Sequence, residues 1–181
     1  VHDNDFTTEG PKAELDWFKK KLEEGYELTE SARPGPGTED GTEATILNRI
    51  IRWAPEGIEY EADPRPGGEK LVEDLTLRGA NSVSTPGVKP TGEQVRKDED
   101  LTGDRIRSFR AVCTRSNYPS ADRPDRQFAA NDICRWMSTQ KELGVQSLKR
   151  LGMFVEGHQR LVSKYPWQAA GGVGIYSDTD W

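Results

Sequence analysis

The apolar positions change rhythm along the chain, and that rhythm predicts its elements. In AELDWFKKKLEEGY, Leu15, Phe18 and Leu22 recur at three- and four-residue spacing after Thr8-Glu9-Gly10-Pro11. A helix over 11–24 is expected, with Pro11 in its first turn and Gly25 ending it. A short strand is expected near 26–30, then a loop at 31–41 whose prolines and glycines fit neither a helix nor an inner strand. Two β-rich runs, 45–53 and 58–62, flank Pro55-Glu56-Gly57 and read as a hairpin. Ile58 and Tyr60 alternate with Glu59 and Glu61, so one face of that strand points in and the other out. Leu71 and Leu75, one turn apart, mark a short amphipathic helix over 67–77.

From Gly79 to Gly103 the periodicity lapses, and a polar stretch with two prolines reads as a linker over 79–103. Three helical patterns follow, over 104–117, 123–138 and 141–156. Their apolar sets are Ile106/Phe109/Cys113, Ala129/Ile133/Met137 and Leu148/Leu151/Val155. Phe128 and Trp136 flank the second set and are expected in the core, because they share its helical spacing. RLVSKY and GVGIYSD read as two closing strands, and GGVG lacks the Lys-Ser/Thr of a phosphate loop. The fold class expected is α+β: a small sheet with helices, then a mainly helical segment.

Composition makes the core thin. The 34 Leu, Ile, Val and Phe are about 19% of 181 residues, close to the roughly 20% below which highly charged chains stay disordered. Five Trp and five Tyr add apolar area. The length fits one domain or two small pieces and excludes a large multidomain enzyme. No apolar run approaches the roughly 18 residues of a membrane helix. VHDNDFTTEG also lacks the plan of a signal peptide, so the expectation is a soluble, intracellular chain with no membrane span. Two cysteines, Cys113 and Cys134, and two histidines, His2 and His158, have no zinc-ligand spacing; both thiols are expected to be reduced and structural.

Charge is uneven. The net charge is −6, but residues 1–103 carry 13 basic and 23 acidic side chains whereas 105–164 carry 12 and 5. An acidic body with a basic segment suits a protein with one polyanion-facing side; a solvated basic helix face accounts for the same tally.

Several short elements, in order, resemble the C-terminal half of a copia-type LTR retrotransposon reverse transcriptase running into its ribonuclease H domain. They are Val83-Ser84-Thr85-Pro86, Asp122-Arg123-Pro124-Asp125 with Phe128-Ala129-Ala130, and Cys134-Arg135-Trp136-Met137-Ser138. Leu148-Lys149-Arg150-Leu151 with Glu156-Gly157, and Tyr176-Ser177-Asp178-Thr179-Asp180-Trp181, complete the set. The resemblance implies a partial palm over 1–78, the linker, a helical thumb and connection over 104–166, and the first strand of ribonuclease H over 167–181.

It also implies site residues. His2-Asp3-Asn4-Asp5 falls where the family carries its Tyr-x-Asp-Asp hairpin, so Asn4 and Asp5 occupy the catalytic pair; Asp178 matches the first ribonuclease H acid. The family's polymerase acids hold two Mg²⁺ ions, with Asp5 and Asp178 the metal-ligand candidates here. Asn4 is a neutral amide and a weak Mg²⁺ ligand. Without the family match, DND reads as a turn or helix-capping cluster. In the resemblance the other polymerase Asp and the fingers would precede residue 1, and the chain ends three residues after Asp178. The expectation is part of two active sites, the whole of neither, and no Mg²⁺ bound.

Arg105, Arg107, Arg110, Arg115, Lys149 and Arg150 are, in the same resemblance, candidates to track the phosphates of an RNA/DNA primer-template duplex. The alternative is a structural subunit in which these cations pair with acids and the helices meet protein partners. A self-contained metal nuclease would instead need Asp5 and Asp178 as neighbours beside a third acid. Asn4, Pro119, Gln127 and His158 depart from the family pattern, and His158 is read as a surface residue.

Overall fold

The computed structural model describes residues 7–62 and 68–169. Its elements are α1 (Lys12–Glu23), β1 (Glu43–Ile46), β2 (Arg49–Ala54), β3 (Gly57–Ala62), α2 (Lys70–Asp74), α3 (Gly92–Arg96), α4 (Asp104–Asn117), α5 (Pro124–Arg135), α6 (Glu142–Gly157) and β4 (Val162–Pro166). A 3-10 turn at Tyr118–Asp122 joins α4 to α5. The class is α+β: a four-stranded antiparallel sheet in the order β1-β2-β3-β4, beside a helical layer.

Helix α1 has its acid, Glu14, in the first turn and Lys20 and Lys21 in the last, which suits the helix dipole. None of its residues is buried; Leu15, Phe18 and Leu22 are half-buried, and Trp17 is exposed. Instead of the strand expected near 26–30, extended chain runs back along the helix, and Lys19 meets Glu30 at 2.7 Å. Arg33 bridges Asp16 and Glu30. Ion pairs to α1 replace the ladder that a strand there would need. The loop that follows closes on one carboxylate: Gly37 N–H donates to Asp40 Oδ2 at 2.8 Å.

The run expected as one strand over 45–53 is two, β1 and β2, joined by Leu47-Asn48. Both turn residues have positive φ, 48° and 63°, as a two-residue hairpin turn requires. Leu-Asn is not the Asn-Gly signature of such a turn, and a leucine there is held in a region its Cβ disfavours. Leu47→Asn should therefore stabilise the protein by about 0.5–1 kcal/mol, read as a higher urea midpoint at unchanged slope.

Register arranges the sheet's faces. Glu43, Arg52, Glu59 and Lys164 lie directly opposite one another across the four strands, a row of alternating charge. Arg52 reaches Glu43 at 2.7 Å and Lys164 reaches Glu59 at 2.9 Å, so the row is paired along its length. The other face carries Ile51, Trp53, Ile58, Tyr60 and Tyr165, and Trp167 leans on Trp53 with ring centroids 6.1 Å apart. RLVSKY forms β4, which completes the sheet against β3 from the far end of the chain. Gly57 allows that approach, since a Cβ there would lie 2.2 Å from the Tyr165 carbonyl oxygen.

The hydrophobic core is in the helical layer. Leu71 and Val72 of α2, Leu101 ahead of α4, Phe109, Val112 and Cys113 within α4, Ala129, Ala130 and Ile133 of α5, and Leu148, Leu151, Phe154 and Val155 of α6 form one buried cluster. These include the apolar sets expected from periodicity, with Ile106 and Met137 at the margin. Trp136 packs against the cluster, but Phe128 is 80% exposed, a correction to the core expectation. On α5 the inward side belongs to Ala129, Ala130 and Ile133, and Phe128 falls outside it.

The segment read as a linker has structure of its own. Thr91 and Gln94 form a capping box on α3. Gly79 N–H donates to Glu156 at one end, while Leu101 N–H donates to the Gln140 carbonyl at the other. The Asp98 carboxylate accepts Leu143 N–H at the start of α6, where the dipole favours an anion. These contacts join residues far apart in sequence, which local periodicity does not register.

Cys113 is fully buried and Cys134 half-buried, both as free thiols. Burial pushes the Cys113 thiol up to about 12, leaving almost no thiolate at neutral pH. In the native protein a thiol reagent should leave Cys113 unlabelled until denaturant opens the helical layer. Fast native labelling of both cysteines would contradict this packing.

Candidate functional site

The element Asp122-Arg123-Pro124-Asp125 sits where sheet and helices meet, and each of its polar side chains makes a different joint. Pro124 occupies the first turn of α5, where its missing N–H costs nothing. Arg123, 2% exposed, sets Nε and Nη2 against the two oxygens of Asp125 at 2.9 and 2.8 Å. Its remaining donors go to main-chain carbonyls just beyond α6: Nη1 to Gln159 at 3.0 Å and Nη2 to His158 at 2.7 Å. One guanidinium thus anchors the start of α5 to the end of α6, and its buried charge is matched by a carboxylate and two carbonyl dipoles. His158 is exposed, stacks on Phe154 and sets Nδ1 2.9 Å from the Phe154 carbonyl oxygen.

Asp122 faces the sheet. Its Oδ1 accepts from Arg49 Nε at 3.0 Å and from the Tyr60 hydroxyl. Burial pushes the Asp122 carboxyl up, but the bonds from Tyr60 and Arg49 outweigh it and leave the group below its ordinary value. Burial also raises the Tyr60 phenol, aided by Asp122.

A second joint lies on the charged face of the sheet. Glu61 is 1% exposed and is held by Arg160 through two bonds of 2.6 and 2.8 Å, with Arg52 Nη1 at 2.8 Å. Arg160, then burial acting against it, then Arg52 set its titration, and the carboxyl is lowered to about 2. Register alone could have suggested part of this network, since it puts Arg52 and Glu61 on one face of neighbouring strands. Arg160, 99 residues from Glu61 in sequence, gave no such signal.

The catalytic positions implied by resemblance, Asn4, Asp5 and Asp178, lie outside the described residues. Among the described residues no group of three or more His, Cys, Asp or Glu is placed to hold a metal ion.

The six basic candidates lie on α4 and α6 but do not form one track. At about 100° per residue, Arg105 falls near the buried stripe of α4, Arg107 opposite it, and Arg110 and Arg115 on its two flanks. Most are engaged within the chain. Arg105 meets Glu142 at 2.6 Å, Arg115 meets Asp74 at 2.8 Å, and Arg110 donates to the Met137 carbonyl. Arg150 donates to the Thr85 hydroxyl at 2.8 Å and ties α6 to the Val83-Ser84-Thr85-Pro86 segment. Arg107, 88% exposed, has only a loose contact with Asp104 at 3.6 Å; Lys149 is exposed.

No family model matches this chain, and neither does any curated protein or solved structure. Among the described residues no helix is long and apolar enough to cross a membrane.

Proposed function

We propose that this chain is a palm-to-connection segment of a copia-type reverse transcriptase that lacks polymerase activity of its own and serves as structural support for protein partners. The observation that carries this reading is how the basic side chains are used. Arg105, Arg110 and Arg150 spend donors on an acid, a carbonyl and a hydroxyl of the chain itself. The Arg123 element that carries the resemblance is likewise consumed by internal joints. In this reading Mg²⁺ belongs to the intact family enzyme and is not held by this chain. Asn4, a neutral amide, stands where the leading polymerase carboxylate would be.

A second reading, weak binding of a primer-template duplex, is favoured by the exposure of Arg107 and Lys149. Such binding would come from phosphate neutralisation, indifferent to base sequence and steeply dependent on salt. Two measurements separate the readings. With primed template, Mg²⁺ and nucleotides, the chain should incorporate nothing above a blank, and Asn4→Asp should restore nothing; incorporation by either overturns the proposal. Duplex titrations at several salt concentrations should show no measurable binding, even at low salt. A salt slope that falls by about one unit with Lys149→Gln would establish the second reading instead.

A further inference from the structure

Between the Leu47-Asn48 turn of the sheet and the C-terminal end of α4 lies a cleft of about 540 Å³. That lies within the range of small-molecule sites, roughly 300–1,000 Å³. Arg49 lines it from the sheet and Arg115 from the helix, and Asn48, Tyr118, Pro119 and Asp122 line it with them.

Each arginine has an acid beside its Nε. Arg49 places Nε 3.0 Å from Asp122 Oδ1, and Arg115 places Nε 2.8 Å from Asp74 Oδ2. Each carboxylate is better shielded than its arginine: Asp122 and Asp74 are 21% and 15% exposed, against 38% and 48% for Arg49 and Arg115. Arg49 Nε donates to Asp122 and to the Tyr60 hydroxyl, whereas Arg115 lies at ion-pair distance from Asp74 without a hydrogen bond to it; the terminal amino groups of both arginines have no partner among the described residues. An arginine whose Nε meets an acid and whose terminal amino groups are unspent is suited to receive an oxyanion. Beside the forks, the Tyr118 ring is 76% exposed and Leu47 45% exposed, a flat apolar surface next to a cationic one.

We propose that this cleft binds a phosphate monoester carried on a planar ring, a ligand of mononucleotide size. The tetrahedral dianion receives one fork from the sheet and one from α4, and the ring lies on Tyr118. A carboxylate, planar and singly charged, would satisfy one fork and leave the other unused. This inference is independent of the structural role proposed above: a chain that binds no duplex and extends no primer still has the cleft.

The test uses the full chain, titrated with AMP, inorganic phosphate, adenosine and a short 5′-phosphorylated single strand, and followed by calorimetry and amide chemical shifts. AMP should bind saturably and shift amides of 47–49 and 114–122. Inorganic phosphate and adenosine should each bind more weakly than AMP. Arg115→Gln should weaken AMP by about tenfold, as loss of a charge-assisted contact does. Its fold is protected because Asp74 keeps Lys70 at 3.3 Å. Tyr118→Ala should weaken AMP by about threefold or more through loss of stacking, and it removes a ring that is mostly in solvent. Binding of the phosphorylated strand more tightly than AMP assigns the ligand to a strand end, and the reverse order to a free nucleotide; both support the shared chemistry. Absence of saturable AMP binding, adenosine binding as tight as AMP, or an affinity unchanged by both substitutions overturns it.

Discussion

Arg123→Ala is expected to destabilise the protein by about 3–5 kcal/mol, the range for removing one partner of a buried ion pair. Three separate losses contribute. Asp125, 23% exposed, loses the only cation that an ion pair gives it among the described residues. The carbonyls of His158 and Gln159 lose their donors at the end of α6. The space of a large side chain that is 2% exposed empties beside the core. Arg123→Lys separates charge from geometry: an ammonium keeps the positive charge but cannot hold two carboxylate oxygens and two carbonyls at once. It should recover less than half of the loss. Urea unfolding at constant slope measures both variants. A cost below about 1 kcal/mol for Arg123→Ala would place this arginine with ordinary surface pairs and remove the joint from the account of the fold.

The same residue shows how far the sequence could be read. The start of α5 was legible, because Pro in a first turn with an acid beside it is a local signal, and α4 and α6 were legible from spacing: their observed bounds lie within a residue of those expected. The hairpin at Pro55-Glu56-Gly57 was legible for the same reason. What Arg123 does was not, since its partners at 158 and 159 lie 35 and 36 residues away and are main-chain atoms without any sequence signature. The Leu47-Asn48 turn was missed because Leu47 does not advertise positive φ and Asn48 alone is a weak turn signal. The strand expected at 26–30 failed for a complementary reason: alternation permits a strand, but a ladder needs a neighbour, and here ion pairs to α1 hold the segment instead. For the basic set, composition located the charge on α4 and α6, yet only the packing revealed that Arg105 and Arg115 point at acids of this chain.

Stability should fall as the pH is lowered from about 4.5 towards about 2, with Glu61 responsible for about 2 kcal/mol of the change. The direction follows from proton counting. In the unfolded chain Glu61 titrates near its ordinary 4.5, whereas in the folded protein Arg160 and Arg52 hold it at about 2. Between those values the unfolded state binds the extra proton, so acid favours unfolding; above them both states are ionised and the contribution is fully present. The full shift would correspond to about 3 kcal/mol. Arg160, 63% exposed, is screened by solvent, which brings the expected value down. Asp122 is also held below its ordinary value and adds a dependence of the same sign, so the wild-type curve alone does not isolate Glu61. Glu61→Gln does. It keeps an oxygen for one arginine and removes the titration. The gap between the two stability curves should therefore be about 2 kcal/mol at neutral pH and close over that acid window. Added salt should narrow the gap, because Arg160 reaches Glu61 from the solvent side. A gap that stays constant with pH would mean that Glu61 acts through packing and hydrogen bonding, with its charge contributing nothing to the joint between β3 and the approach to β4.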